Sequence, residues 1–131
     1  MRYLSDEWFA ALSAAVATVA APPAVAVTVG QSIRGAPDGD VHFRLSCADG
    51  RCRLDLGEGP SDVTLTEDLA TAVAVARGAR TAGHAVLHGD IVVSGDVERL
   101  MDAGPLLEAL TPAFASVMAQ TTMPGPAGEP R

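Results

Sequence analysis

The stretch "AVLHGDIVVSGDVERLM", Ala85 to Met101, sets two Gly-Asp steps around the four residues Ile91–Ser94, three of which are large and apolar. A run this short, bounded by glycine, reads as a strand rather than a helix. Asp96 then opens a helix carrying Leu100 and Met101: its carboxylate can accept first-turn amides, and Glu98 suits the positive end of the helix dipole. Gly89 and Gly95 bracket the strand, where each allows a backbone angle or a close approach that a side chain would forbid. The stretch lays a short strand beside a sheet and launches a helix across it.

Working upstream, Leu69, Ala72, Val73 and Ala76 form one apolar helical face. Thr66 is the expected cap, Glu67 and Asp68 the first residues and Gly78 the stop. "SDVTLT" before it is a strand with Val63 and Leu65 inward. "VHFRLSC" alternates Val41, Phe43, Leu45 and Cys47 against His42, Arg44 and Ser46, and "CRLDL" answers with Cys52, Leu54 and Leu56. Asp49-Gly50 between these runs predicts a two-residue hairpin in which 47 faces 52 and 44 faces 55, making Arg44 and Asp55 an opposite-charge pair. "AVAVTVGQSIR" is a further strand with Val25, Val27, Val29 and Ile33 on one face. Ser5 caps a first helix with the stripe Trp8, Phe9, Leu12, Val16 and Val19, expected to end near Ala21 before Pro22-Pro23.

Downstream, Gly104-Pro105 restarts the chain, and Leu106, Leu107, Leu110, Phe114, Val117 and Met118 continue an apolar helical surface. Pro112 suits the first turn of a new helix after Thr111 better than a helix interior. Residues 1–120 read as one domain and 121–131, "TTMPGPAGEPR", as a flexible tail. The pattern is an α+β layer, with helices on one face of a small, mostly antiparallel sheet.

At 131 residues the chain can bury roughly two-thirds of its unfolded surface, enough for one core. Aromatics are only 4%, so Val, Leu and Ala must fill that core, which permits a cavity between layers. Net charge is -7, and there is no lysine. That opposes nucleic acid binding, which needs clustered cations, and general adhesion to anionic membranes. Arginine without lysine beside abundant Ala, Gly and Val suggests a GC-rich bacterial coding sequence. The acidic and aromatic start "MRYLSDEWFAAL" does not read as a signal peptide, and no apolar run is long enough to span a bilayer. The expectation is a cytoplasmic protein with no integral membrane association, leaving room for transient membrane contact.

The chemistry-bearing residues have plain structural readings. Cys47 and Cys52 occupy a non-hydrogen-bonded hairpin pair where a disulfide just fits, although in a reducing compartment two buried thiols are favoured. His84 and His88 could share one side of a helical turn, but no acid lies between them, and packing or surface roles are favoured over a metal site. Asp90, Asp96 and Glu98 form no acid-base group, since the last two serve a helix start. Ser94-Gly95-Asp96 lacks the surround of a nucleophile elbow. "GEGPSD" has glycines but no lysine and no helix opening on it, so it is not a phosphate loop. Neither a metal nor a cofactor is expected.

The order "LTEDLATAVAVARG", then Ala85, then "GDIVVSGDVERLM" resembles the core of the sterol carrier protein type-2 domain family. Gly78, Ala85, Gly89, Gly95, Asp96 and Leu100 match that pattern in order and spacing. The likeness runs from Leu4 to Leu110 and is most specific from Gly78 to Leu100. It implies an apolar tunnel between a twisted, mostly antiparallel five-stranded sheet and helices on one face, holding fatty acids, fatty acyl-CoA, sterols or phospholipids. The C-terminal helix would lie at the mouth. The inward residues Val27, Val29, Phe43, Leu45, Leu54, Leu56, Val63 and Leu65 would form one wall. Leu69, Val73, Ile91, Val93, Leu100, Met101, Leu110 and Phe114 would form the other. Where the family often carries Lys or Arg after Gly89, this chain has Asp90, so a carboxylate or uncharged lipid suits it better than acyl-CoA. Arg77, Arg80 and Arg99 are the expected head-group partners. The leading expectation is a non-catalytic carrier of a hydrophobic molecule. The alternatives are an auxiliary or catalytic protein of lipid or polyketide tailoring, using His84, His88 or Asp90, and an interaction module.

Overall fold

A computed structural model describes residues 1–123. The elements are α1 (Asp6–Ala17), β1 (Val27–Arg34), β2 (Val41–Ala48), β3 (Arg51–Leu56), β4 (Val63–Asp68), α2 (Leu69–Ala76), α3 (Ala82–Leu87), β5 (Ile91–Gly95), α4 (Val97–Asp102) and α5 (Gly104–Met118). The strands form one sheet in the order β3-β2-β1-β4-β5. The β1–β4 pair is parallel and the other three are antiparallel. This is the mostly antiparallel, five-stranded α+β sheet expected from the alternation and the motif. No helix among the described residues is long and apolar enough to cross a membrane.

The β2–β3 hairpin has the predicted register, with Ala48 opposite Arg51, Cys47 opposite Cys52 and Arg44 opposite Asp55. Asp49 and Gly50 both have positive φ, 54° and 81°, as a two-residue turn with the native strand twist requires. Two expectations built on this register need correction. Cys47 and Cys52 are joined in a disulfide rather than left as thiols, across a Cα separation of 4.1 Å. Arg44 does not pair with Asp55, which takes the Arg53 guanidinium at 3.0 Å, while Arg44 Nε donates to the Gly57 carbonyl at 3.3 Å.

From the edge strand β3 the chain crosses β2 and β1 on the outer, helix-free face and enters the sheet beside β1. Gly57 N–H donates to the His42 carbonyl at 2.8 Å as the crossing starts, and Asp62 N–H donates to the Thr28 carbonyl at 2.9 Å as it ends. Asp62 also accepts the Thr28 amide on Oδ2 at 2.8 Å and the Asp96 amide on its carbonyl at 2.8 Å. One residue thus ties β1, β4 and the β5–α4 junction. Gly95 lies flat against that carbonyl with φ +102°. Gly89, at φ +77°, turns the chain from α3 into β5.

On the inner face, Trp8, Phe9, Leu12 and Val16 of α1 pack with Val27, Val29, Ile33, Phe43 and Val63 of the sheet and Leu106, Leu110 and Val117 of α5. α1 rests on α5 and on β3, α4 lies over β1 and β4, and α3 flanks β5. Ser5 caps α1 by accepting the Trp8 amide at 3.2 Å, but the helix stops at Ala17, short of the expected Ala21. Thr18 bonds the Ala15 carbonyl at 2.7 Å, and the Ala21 amide leaves to reach Gly50 at 3.0 Å. Asp68, not Thr66, caps α2, accepting the Thr71 amide at 2.8 Å, because β4 pairing continues through Glu67 to Asp68. Pro112 lies inside α5 rather than starting a helix. It is exposed, so water can serve the carbonyl its missing N–H leaves free, and the Thr111 hydroxyl bonds the Leu107 carbonyl at 3.1 Å.

Of the tail expected from Thr121, the first residues are held. Thr122 N–H donates to the Met1 carbonyl at 2.6 Å, and Tyr3 N–H donates to the Thr122 carbonyl at 3.2 Å. Residues 124–131 lie outside the described residues.

The two glycines around β5 make separable demands. Gly89→Ala meets open space and should cost about 1–2 kcal/mol from the left-handed backbone alone. Gly95→Ala should cost clearly more in urea denaturation, because its Cβ would come within 2.5 Å of the Asp62 carbonyl oxygen. Equal costs would contradict the close approach.

Candidate functional site

The expected apolar wall divides into buried, half-buried and exposed members. Val27, Val29, Phe43, Val63, Val73, Ile91 and Leu110 are buried. Leu45, Leu54, Leu65, Leu69, Val93, Leu100 and Phe114 are half-buried against the core. Leu56 and Met101 are 56% and 75% exposed, so neither forms part of a closed wall as the structure stands. Leu56 is uncovered because β3 is an edge strand and α1 reaches it only in part.

Beside Leu56 the structure leaves a recess of about 360 Å³ between α1 and β3, lined by Asp6, Phe9, Ala10, Ser13, Leu54 and Leu56. Its origin is local. Ala10 and Ser13 stand three residues apart on α1, so neighbouring turns present small side chains toward β3. Phe9 forms the inner end, fixed by edge-on packing against Phe43 and Trp8 with ring centroids 5.3 and 5.0 Å away. Asp6 is the one charged residue on the lining. The recess can bury an apolar chain, and its volume falls in the range of small-molecule sites.

The expected head-group arginines are placed elsewhere and largely occupied. Arg80 pairs with Asp90 at 2.8 Å, and Arg99 faces Asp62 and Asp96 at 3.5 and 3.7 Å. Arg77 is exposed. None of the three lines the recess. His84 and His88 are exposed on and just after α3, with ring centroids 4.2 Å apart. No group of three or more His, Cys, Asp or Glu among the described residues is placed to hold a metal ion. His42 lies on the outer face instead, its Nδ1 at 2.9 Å from Ser32 Oγ and 3.8 Å from Glu58.

Residues 10–108 match the model of the SCP-2 sterol transfer family. The chain belongs to that family. Solved structures agree on the fold. A conserved hypothetical protein from Thermus thermophilus, described as possibly a sterol carrier protein, superposes with a TM-score of 0.66 at 19% identity, over 95% of this chain and 94% of the other. Sterol carrier protein 2 gives 0.65 at 17% identity, covering 89% and 98%. Palmitated SCP2L2 from Aedes aegypti gives 0.58 at 24% identity, covering 88% and 95%. No curated protein matches the chain.

This SCP-2 family member also carries a buried group that reading the residues missed. Glu67, expected in a helix first turn, is an inward β4 residue only 8% exposed, level with Ile33 and Ile91. Burial, then the neighbouring Asp68 charge, raises its pKa above the ordinary carboxylate value. The Tyr3 phenol is also raised, first by burial and then by the charge of Glu67, and Tyr3 packs edge-on to Trp8 at 5.0 Å. Neither Glu67 Oε2 nor Trp8 Nε1 has a hydrogen-bond partner among the described residues. The three side chains make a polar spot inside an apolar layer. Asp68 shifts the other way, its pKa lowered by the backbone hydrogen bond from Thr71.

A raised folded-state pKa means that ionised Glu67 costs stability. The fold therefore gains as pH falls through that raised value, and the gain is complete below the ordinary value of 4.5. Glu67→Gln should raise the melting temperature at neutral pH, with the difference from wild type shrinking on acidification and gone near pH 4. A difference independent of pH would show that the carboxylate is not under strain.

Proposed function

We propose that this chain binds and carries a hydrophobic small molecule without catalysis, seating its apolar part in the recess between α1 and β3. The observation that carries this reading is the 360 Å³ apolar space with Leu56 left uncovered at its edge. Membership of a family described by sterol transfer supports it, as does the fold shared with a palmitated protein. Leu54 and Leu56 are the wall residues that touch the ligand first. Leu45 and Val29 follow in the same row of the sheet, so a longer chain would displace them next. The remaining inward residues support the pocket from behind.

Asp6 at the recess disfavours an anionic head there, and of the three arginines first expected to receive one none lines the recess, while Arg80 and Arg99 are paired with carboxylates. An uncharged lipid, or a fatty acid with its carboxyl in solvent, is the favoured cargo. Selectivity then lies in chain length, at roughly 0.8 kcal/mol for each buried methylene, or about fourfold in Kd.

Displacement of a fluorescent fatty acid tests this directly. Affinity across a series of saturated fatty acids should rise with length up to the capacity of the recess. Ala10→Trp fills the recess from the exposed side of α1 and should weaken binding about tenfold or more without lowering the melting temperature. This site is preferable to Val29→Trp, since Val29 is only 7% exposed and a larger side chain there would disturb the core. His84→Ala and His88→Ala should bind as wild type does. Unaltered binding by Ala10→Trp would move the ligand away from this recess.

A further inference from the structure

The crossing from β3 to β4 roofs a second, smaller cavity of about 100 Å³ on the outer face of the sheet, the size of one small ion rather than a lipid tail. Its floor is Gly30 on the central strand, with Arg44 level on β2 and Thr64 level on β4. Glycine there is a matter of space: a Cβ would come within 2.9 Å of Ser61 Oγ and 3.3 Å of Thr64 Oγ1. Gly59 in the roof is similar, since a Cβ would overlap Arg44 Nη1. Two positions without side chains keep the cavity open and let the guanidinium lie under the crossing.

The polar groups facing this space are mostly donors. Arg44 has its Nε committed to the Gly57 carbonyl and enters no ion pair among the described residues, because Asp55, its cross-strand neighbour, is taken by Arg53. The hydroxyls of Ser61 and Thr64 share one hydrogen bond at 3.0 Å, which uses a single proton and leaves the other to donate. His42 is held by Ser32 at 2.9 Å. The carboxylate on the lining, Glu58, stands 3.8 Å from His42 with its side chain 80% exposed, free to turn into solvent. In a chain of net charge -7, an arginine without a carboxylate partner, over a glycine floor and beside two hydroxyls, is a specific arrangement.

We propose that this cavity binds a small oxyanion of phosphate size, held by the Arg44 guanidinium and by the one hydroxyl proton that the Ser61–Thr64 hydrogen bond leaves free. The recognition differs from that of a phosphate loop: side chains supply the donors, and no helix N-terminus takes part. The phosphate could be free or the head of a lipid, since Gly57 of the roof directly follows Leu56 of the apolar recess. The oxyanion site stands whether or not the recess carries lipid.

Titration of the folded protein with inorganic phosphate, followed through the His42 ring resonances, tests the proposal. Saturable shifts at His42, with His84 and His88 unmoved, are expected. Arg44→Gln should weaken binding about tenfold, the value of one charge-assisted contact. Gly30→Ala should weaken it by filling the floor, and Glu58→Gln should strengthen it by removing the opposing charge. Unchanged melting curves show that the variants fold, and Arg44→Gln, on the sheet surface, does not depend on the Gly30 result. No saturable shift, or equal affinity in wild type and Arg44→Gln, overturns the proposal. A parallel titration with lysophosphatidic acid identifies the source. Tighter binding than phosphate, with the advantage lost in Leu56→Asp, assigns the phosphate to a lipid. Equal binding that Leu56→Asp leaves unchanged assigns it to free phosphate.

Discussion

The sheet depends on Asp62. Parallel pairing of β1 with β4 has no tight turn to hold it, because the strands it joins are separated by two others in sequence. Asp62 replaces the turn. Its amide and carboxylate lock onto both backbone groups of Thr28, its carbonyl takes the Asp96 amide, and its second carboxylate oxygen faces Arg99 at 3.5 Å. β4 is thereby aligned with β1 on one side, and the start of α4 is fixed on the other. The position of β5 at the sheet edge and of α4 and α5 over the inner face follows from that knot.

Both cavities are by-products of how the sheet is covered. On the inner face α1 rests on both α5 and β3, and a gap is left against β3 where Ala10 and Ser13 are too small to fill it. On the outer face a connection without a helix crosses two strands, and the glycines at 30 and 59 hold it clear of Arg44 and Thr64. Neither cavity comes from an irregular strand. Each reflects a small side chain where a larger one would close the gap, in keeping with a core poor in aromatics.

Local signals in the residues were legible, and signals that depend on distant partners were not. The Asp49-Gly50 turn and strict alternation determine the β2–β3 register pair by pair, and Asp96 caps its helix as its position indicates, accepting the Arg99 amide at 3.0 Å. Thr66 is not the cap its position suggests, because Thr-Glu-Asp before an apolar run is equally a helix start and a strand end, and only pairing with Ser32 and Ile33 decides between them. The same uncertainty hid Glu67, whose burial follows from its strand parity. Arg44 and Asp55 are correctly opposed, yet the pair fails because Arg53 lies closer to the acid and the crossing claims Arg44. The exposure of Leu56 could not be read, since alternation assigns a face but does not say which strand forms the edge.

The parallel pairing also bears on how the chain acquires its structure. β1, β2 and β3 form a meander from neighbouring segments, whereas β4 returns to β1 across 34 residues of sequence. Closing that loop costs entropy before any of its contacts repay it, so the meander is the natural first stage and insertion of β4 the slow one. In the interval the open edge of β1 and the inner faces of three strands are unprotected, the condition under which chains associate. The -7 charge opposes such association, and β1 carries no aromatic side chain to promote it.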